Sequence, residues 1–202
     1  MYNFGHSTAM ASRDERKFAI LDATLRVIAD GGVDAVRARR VAAEASVPLG
    51  SVSYWFDSRT ALIRGAFTHF LEINTRFMEG LLEQHPVGCA DDLVQLMVAM
   101  VEQEFADRTR VLAEYELILA AGRDQALAEA FEAWEARPRA ELAALLAALG
   151  SPSPDDDART LIEFVRGHEL VTLTRSAPDL DDLARRLGAL LDALLARQRT
   201  TP

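Results

Sequence analysis

Apolar residues recur at three- and four-residue steps along nearly the whole of this 202-residue chain. That period lays side chains along one face of an α-helix, and no stretch shows the two-residue alternation of a half-buried strand. Phe18, Leu21, Leu25 and Ile28 set the first stripe, which Gly31–Gly32 ends. Two short helical segments follow. One runs from about Arg37 to Ala45 with Ala38, Val41, Ala42 and Ala45 facing inward; the other runs from Leu49 to Trp55, after a break at Ser46–Val47–Pro48. Asp57 or Ser58 can cap a long fourth helix whose stripe is Leu62, Ala66, Phe70, Ile73, Phe77 and Leu81. Further helices are expected at 90–105, 109–121, 124–149, 156–175 and 179–198, with Pro138 kinking or breaking the third of these near Arg137. Ser151–Pro152–Ser153–Pro154 reads as a loop, and Asp155 to Asp157 place negative charge at the start of the next helix. With no internal repeat, the fold class is all-α, with about nine helices.

No apolar run approaches the ~18 residues that span a bilayer; the longest, Leu142 to Leu149, is far shorter. The first twelve residues have neither the basic nor the apolar region of a secretory signal, and are expected to form a disordered arm over 1–12. One cysteine, Cys89, excludes an intramolecular disulfide framework and fits a reducing compartment, so a cytoplasmic protein without membrane association is expected. The net charge of −9 hides an asymmetry: residues 1–66 carry nine basic and seven acidic groups, whereas 67–202 carry 13 and 24. Two electrostatic tasks in one chain account for that division.

The basic half contains V-R-A-R-R-V-A-A-E-A-S-V-P-L-G-S-V-S-Y-W-F-D-S-R over 36–59. Two short helices joined by a tight turn, each with a small inner face, fit a helix-turn-helix. Ala42 and Ala45 permit close approach, Val41, Val47 and Val52 fill the space beneath, and Phe56, four residues after Val52, belongs to the core. Pro48 opens the second helix, whose outward face shows Leu49, Gly50, Ser51, Ser53 and Tyr54, groups able to enter a major groove. Trp55 follows, and Arg37, Arg39, Arg40 and Arg59 flank the segment where cations grip phosphates.

Val41–Ala42, Ala45–Ser46–Val47, Gly50–Ser51–Val52, Tyr54–Trp55–Phe56, Arg59 and Leu62 resemble the tetracycline-repressor (TetR) family of bacterial transcription regulators. Ile20, Ala23, Leu25 and the Ala29–Asp30–Gly31–Gly32 ending match in phase, so the resemblance covers about 14–66 in detail. Three positions depart from the family pattern: Ser46 replaces the turn glycine, Ser53 a common tyrosine, and Arg59 the commoner lysine. If the backbone at Ser46 is left-handed, serine there costs about 1 kcal/mol.

The resemblance implies a helix-turn-helix DNA-binding domain over 13–58 and a helical ligand-binding and dimerisation domain over 59–202. It implies a regulator, in most members a repressor, that a small molecule releases from palindromic double-stranded operator DNA. Arg59 is then the phosphate contact, with Tyr54 and Trp55 bracing the backbone; Arg39 is the candidate guanine contact. Met97, Met100, Phe105, Tyr115, Phe131, Trp134 and His168 are candidates for the effector pocket, an apolar set with Arg123, Arg166 and Glu114 as charged exceptions, which points to a hydrophobic effector. Leu180, Leu183, Leu187, Leu190 and Leu194 form a stripe that Leu191 widens, the candidate face of a homodimer. No metal site is expected, because Ala66, Leu82 and Val165 stand three residues before His69, His85 and His168 where a di-iron bundle needs Glu. No cofactor or catalysis is expected either: Lys17 is the only lysine, which excludes Walker-type and Ser-x-x-Lys motifs. The competing reading is a helical ligand-binding protein or enzyme with a non-functional DNA module.

Overall fold

A computed structural model describes residues 5–197, with side chains from Asp14 onward. Its helices are α1 (Gly5–Gly31), α2 (Ala38–Glu44), α3 (Leu49–Trp55), α4 (Arg59–Gln84), α5 (Ala90–Phe105), α6 (Arg108–Ala121), α7 (Gln125–Ala148), α8 (Pro154–Thr172) and α9 (Leu180–Ala196), with one 3-10 turn at Val33–Ala35. The architecture is all-helical, and no strand occurs among the described residues. Of the expected arm, residues 1–4 lie outside the described residues, while from Gly5 the backbone is already helical. Pro138 does not break α7, which runs continuously through it. Proline removes the N–H that would bond the carbonyl four residues back and its ring crowds that carbonyl, while the flanking alanines and leucines favour helix strongly. No helix among the described residues is long and apolar enough to cross a membrane.

The chain divides into two compact units, one comprising the chain up to Ile73 with Thr109–Ala128, the other Asn74–Arg108 with the chain from Glu129. The first unit therefore extends past residue 58 into α4 and also takes α6. Phe67 and Phe70 of α4 are fully buried there, together with Ile20, Ala23 and Ile28 of α1 and Val52 of α3. Each such aromatic stabilises the unit by about 1.5–3 kcal/mol relative to exposure. The α1 stripe is centred on Ile20, Thr24, Val27 and Ile28; Phe18 is 43% exposed and stacks on His69, whose Nε2 lies 2.8 Å from Asp22 Oδ1. Phe56 packs edge-on over Gly65, where a Cβ would stand 2.7 Å from its ring and 3.3 Å from Leu21. The α2 face is narrower than expected: Val41 and Ala42 are buried, Ala45 is half-buried and Ala38 is exposed.

Ser46 has φ 55°. The Val47 amide donates to Ala42 O at 2.9 Å and the Ser46 amide to Ala43 O at 3.1 Å, a Schellman closure that needs a left-handed residue at that position. Glycine lacks the Cβ that crowds this conformation, so Ser46→Gly raises the unfolding free energy by about 1 kcal/mol. Urea unfolding checks this; a midpoint that stays put or falls contradicts it. Gly150, at φ 89°, closes α7 in the same way.

In the second unit α9 packs chiefly on α5 and also meets α8. Asp92 opens α5 by accepting the Gly88 and Cys89 amides at 3.0 Å, bonds that, with the Cys89 side chain, hold its carboxyl below the ordinary value. Asp157 is fully buried, yet satisfied: Ser151 Oγ donates to it at 2.6 Å and Arg197 Nη2 lies 2.6 Å away. Removing Arg197 leaves a buried charge without its counter-ion, whereas the intact pair is nearly neutral to stability.

Candidate nucleic-acid interface

The Schellman turn at Ser46 sets α3 against α2, and α3 buries only Val52. The rest of α3 faces away from the core: Pro48, Gly50 and Ser53 are exposed, Leu49 is 41% and Tyr54 61% exposed, and Ser51 and Trp55 are half-buried. A seven-residue helix with one buried side chain is held by its neighbours and serves chiefly as a presented surface. Its small, neutral outer groups impose no desolvation of charge on a duplex.

The four flanking arginines have different situations. Arg39 is exposed and makes no hydrogen bond or ion pair among the described residues. Arg40 pairs with Asp30. Arg37 donates from Nη1 to the carbonyls of Asp34 at 2.7 Å and Val36 at 2.9 Å. Arg59 clamps the 3-10 turn, donating from Nε to Val36 O at 3.1 Å and from Nη2 to Val33 O at 2.7 Å and Asp34 Oδ1 at 2.9 Å. Of the four, Arg39 alone has a guanidinium uncommitted among the described residues.

Two residues that sequence reasoning did not single out adjoin this face. Arg16 and Gly50, Ser51, Tyr54 and Trp55 line a groove of about 360 Å³, and Lys17 Nζ lies 5.7 Å from the centre of the Trp55 ring. The signal available was an adjacent basic pair on the first helix, inside the basic segment.

The seven effector-pocket candidates fall in both units. Met97 is buried in the apolar core of the second unit, with Met100 and Phe105 half-buried against it, and Tyr115 belongs to the first unit. Phe131 and Trp134 do meet, ring centres 5.8 Å apart; Arg166 stacks over Phe131 at 5.0 Å and reaches Glu135 at 3.1 Å. The Trp134 indole donates to Thr75 Oγ1 at 3.2 Å and lines a groove of about 160 Å³ with Glu79, Arg137, Pro138 and Glu141. His168 is buried, and its Nε2 has no hydrogen-bond partner among the described residues. Burial, then the nearby Arg186 guanidinium, hold this imidazole below its ordinary value, so it is neutral at pH 7.

Four leucines of the expected dimer stripe are buried within the protomer itself. Leu183, Leu187, Leu191 and Leu194 are at most 5% exposed and form part of the protomer's own core, with Leu180 and Leu190 half-buried beside them. A wide leucine stripe is equally what a helix needs when it must cover two neighbours of its own chain, here α5 and α8.

A short helix presenting small groups beside an uncommitted arginine, braced by a second short helix at a tight turn, defines a helix-turn-helix DNA-binding protein. Residues 20–66 match the family model described as bacterial regulatory proteins, tetR family, and 89–197, more than half of the chain, match the tetracyclin repressor-like C-terminal domain. A member of the TetR family from Streptomyces coelicolor A3 is 32% identical over 87% of this chain and 98% of its own, with a TM-score of 0.66. The multidrug binding protein EbrR, solved with ethidium, is 33% identical over 87% of this chain and 98% of its own, with a TM-score of 0.64. A transcriptional regulator from Rhodococcus sp. Rha1 shares the fold, with a TM-score of 0.76, 21% identity, and coverage of 91% of this chain and 98% of its own. Comparison with curated proteins returns no match. The chain belongs to the TetR family: it is a transcriptional regulator with an N-terminal helix-turn-helix.

Proposed function

We propose that this regulator is a cytoplasmic homodimeric repressor that acts by binding alone, leaving a palindromic operator when a small aromatic effector binds. The supporting observation is the free Arg39 guanidinium beside the exposed face of Leu49, Gly50, Ser53 and Tyr54. Arg39 reads a guanine edge, Leu49, Gly50, Ser51 and Ser53 meet neighbouring bases, and Tyr54 and Trp55 brace the sugar–phosphate backbone. Arg59, Arg37 and Arg40 hold the turn and α2 in place for that reading, and any phosphate contact they make uses what their internal bonds leave.

EbrR has been solved with ethidium and with proflavin, both flat aromatic compounds. In this chain the adjoining Phe131 and Trp134 rings suit an effector of that kind, while Glu79 and Glu141 near Trp134 are both paired with Arg137 at 2.8 Å. α4 carries residues of both units along one helix, so an effector that tilts it alters the separation of the two readers. Operator half-sites recur at about 34–36 Å, and a dimer with mismatched spacing loses one of them. By linkage, operator weakens effector binding by the same factor.

The test is a nuclease footprint on DNA flanking the gene, repeated with ethidium. Two protected half-sites one helical turn apart, lost on adding ethidium, are expected. No protected site at any concentration points instead to the ligand-binding protein with a non-functional DNA module.

For the dimer, the outer face of α8 replaces the α9 leucines. Leu170 and Val171 are 54% and 51% exposed, and a Cβ at the neighbouring Gly167 would meet nothing within 4 Å. Leu170→Glu with Val171→Glu is expected to give monomers in sedimentation with an unchanged helical spectrum, because neither residue is in the core. A dimer that survives the double change places the two-fold contact elsewhere.

A further inference from the structure

We infer that the groove between α1 and α3 is a second seat for the DNA backbone, in which Arg16 and Lys17 hold phosphate beside the base-reading residues Gly50 and Ser51. This rests on the DNA-reading role given to α3. The groove, about 360 Å³, is walled by Arg16 on one side and by Gly50, Ser51, Tyr54 and Trp55 on the other. Arg16 is exposed and makes no hydrogen bond or ion pair among the described residues, so its five donors are available. Glu15 and Asp14, one and two positions before Arg16, do not face it along the helix.

Lys17 is placed differently. Its ammonium stands 5.7 Å over the Trp55 ring, and Trp55 packs edge-to-face with Tyr54 at 5.2 Å. An aromatic face orients an ammonium without neutralising it, so the charge stays available to an anion and part of its ordering entropy is already lost. Gly50 keeps the groove open: a Cβ there would meet nothing within 4 Å, so the fold itself does not require glycine.

Phosphate is the ligand that fits these features. The groove carries the Arg16 guanidinium, with the Lys17 ammonium over one of its walls, Trp55, in a chain of net charge −9; it shares Gly50, Ser51 and Tyr54 with the reading helix and is open enough for a strand to pass along it. A guanidinium in an open groove, with an ammonium beside it, neutralises a phosphate but does not tell one base from another. The pair therefore adds affinity equally on every sequence, and α1 contributes strength where α3 contributes choice.

The test uses full-length protein and two duplexes, operator and scrambled, over a salt series. Arg16→Ala and Lys17→Met are each expected to flatten the log–log salt dependence by about 1 per half-site on both duplexes, leaving the operator-to-scrambled ratio unchanged. Because Lys17 is the only lysine, acetylation removes one side-chain amine charge and reductive methylation keeps it; acetylated protein should lose the slope that methylated protein retains. Lys17→Arg protein treated identically controls for the terminal amine. If the wild type binds operator but Arg16→Ala and Lys17→Met keep its salt slope, this inference is wrong while the DNA-reading role stands. A loss confined to the operator makes Arg16 a base reader and also overturns it. If the wild type does not prefer operator over scrambled DNA, the reading role of α3 fails first, and this inference with it.

Discussion

Leu187→Ala lowers the unfolding free energy by about 2–5 kcal/mol and the melting temperature by roughly 5–15 °C. Leu187 is 1% exposed in the apolar core of the second unit, with Leu183 and Leu191 one turn away on either side along α9. Truncation removes the transfer free energy of three carbons and leaves a cavity that neighbouring helices close only in part. Leu187→Arg is harsher, because a guanidinium at that place has no partner, and it yields unfolded protein rather than folded monomer. A chemical melt of Leu187→Ala is the measurement. A loss under about 0.5 kcal/mol, within the usual range for surface substitutions, would return the α9 leucines to the surface and reinstate them as a dimer face.

The second large effect falls on DNA. Arg39→Ala costs about 1–3 kcal/mol of binding on the operator, about fivefold to more than a hundredfold, and much less on scrambled duplex. Its melting temperature stays at the wild-type value, since Arg39 makes no contact that the fold uses. Arg59→Ala behaves in the opposite way. It removes three hydrogen bonds to the 3-10 turn, so stability falls by about 1–2 kcal/mol and affinity falls on both duplexes alike. Binding of the two variants to both duplexes at two salt concentrations, with a melt of each, separates these cases. Equal losses by Arg39→Ala on operator and scrambled DNA would make Arg39 a backbone contact.

Much of the fold was legible before any coordinates. Helix existence and order follow from apolar spacing, and the break at Ser46–Val47–Pro48 follows from turn chemistry; both are properties of a few consecutive residues. The family pattern has glycine where Ser46 stands, which raises the question of a left-handed backbone; the φ of 55° answers it. The surface of α3 was also legible, since one buried valine among small and polar neighbours leaves few ways to place the helix.

What the sequence alone determined, then, is an all-helical chain with a helix-turn-helix and a basic reading half. Helical period, turns and charge order are local, and they persist whatever the helices later pack against. The tertiary structure alone decided which groups are already engaged. A leucine stripe records that a face will be buried but not by what, and α5 and α8 claim the α9 stripe within one protomer. A long arginine side chain can find partners far along the sequence, so its neighbours there do not reveal them. Arg59 reaches back 26 residues to Val33, Arg40 finds Asp30, and Arg39, one residue away, has no hydrogen bond or ion pair among the described residues.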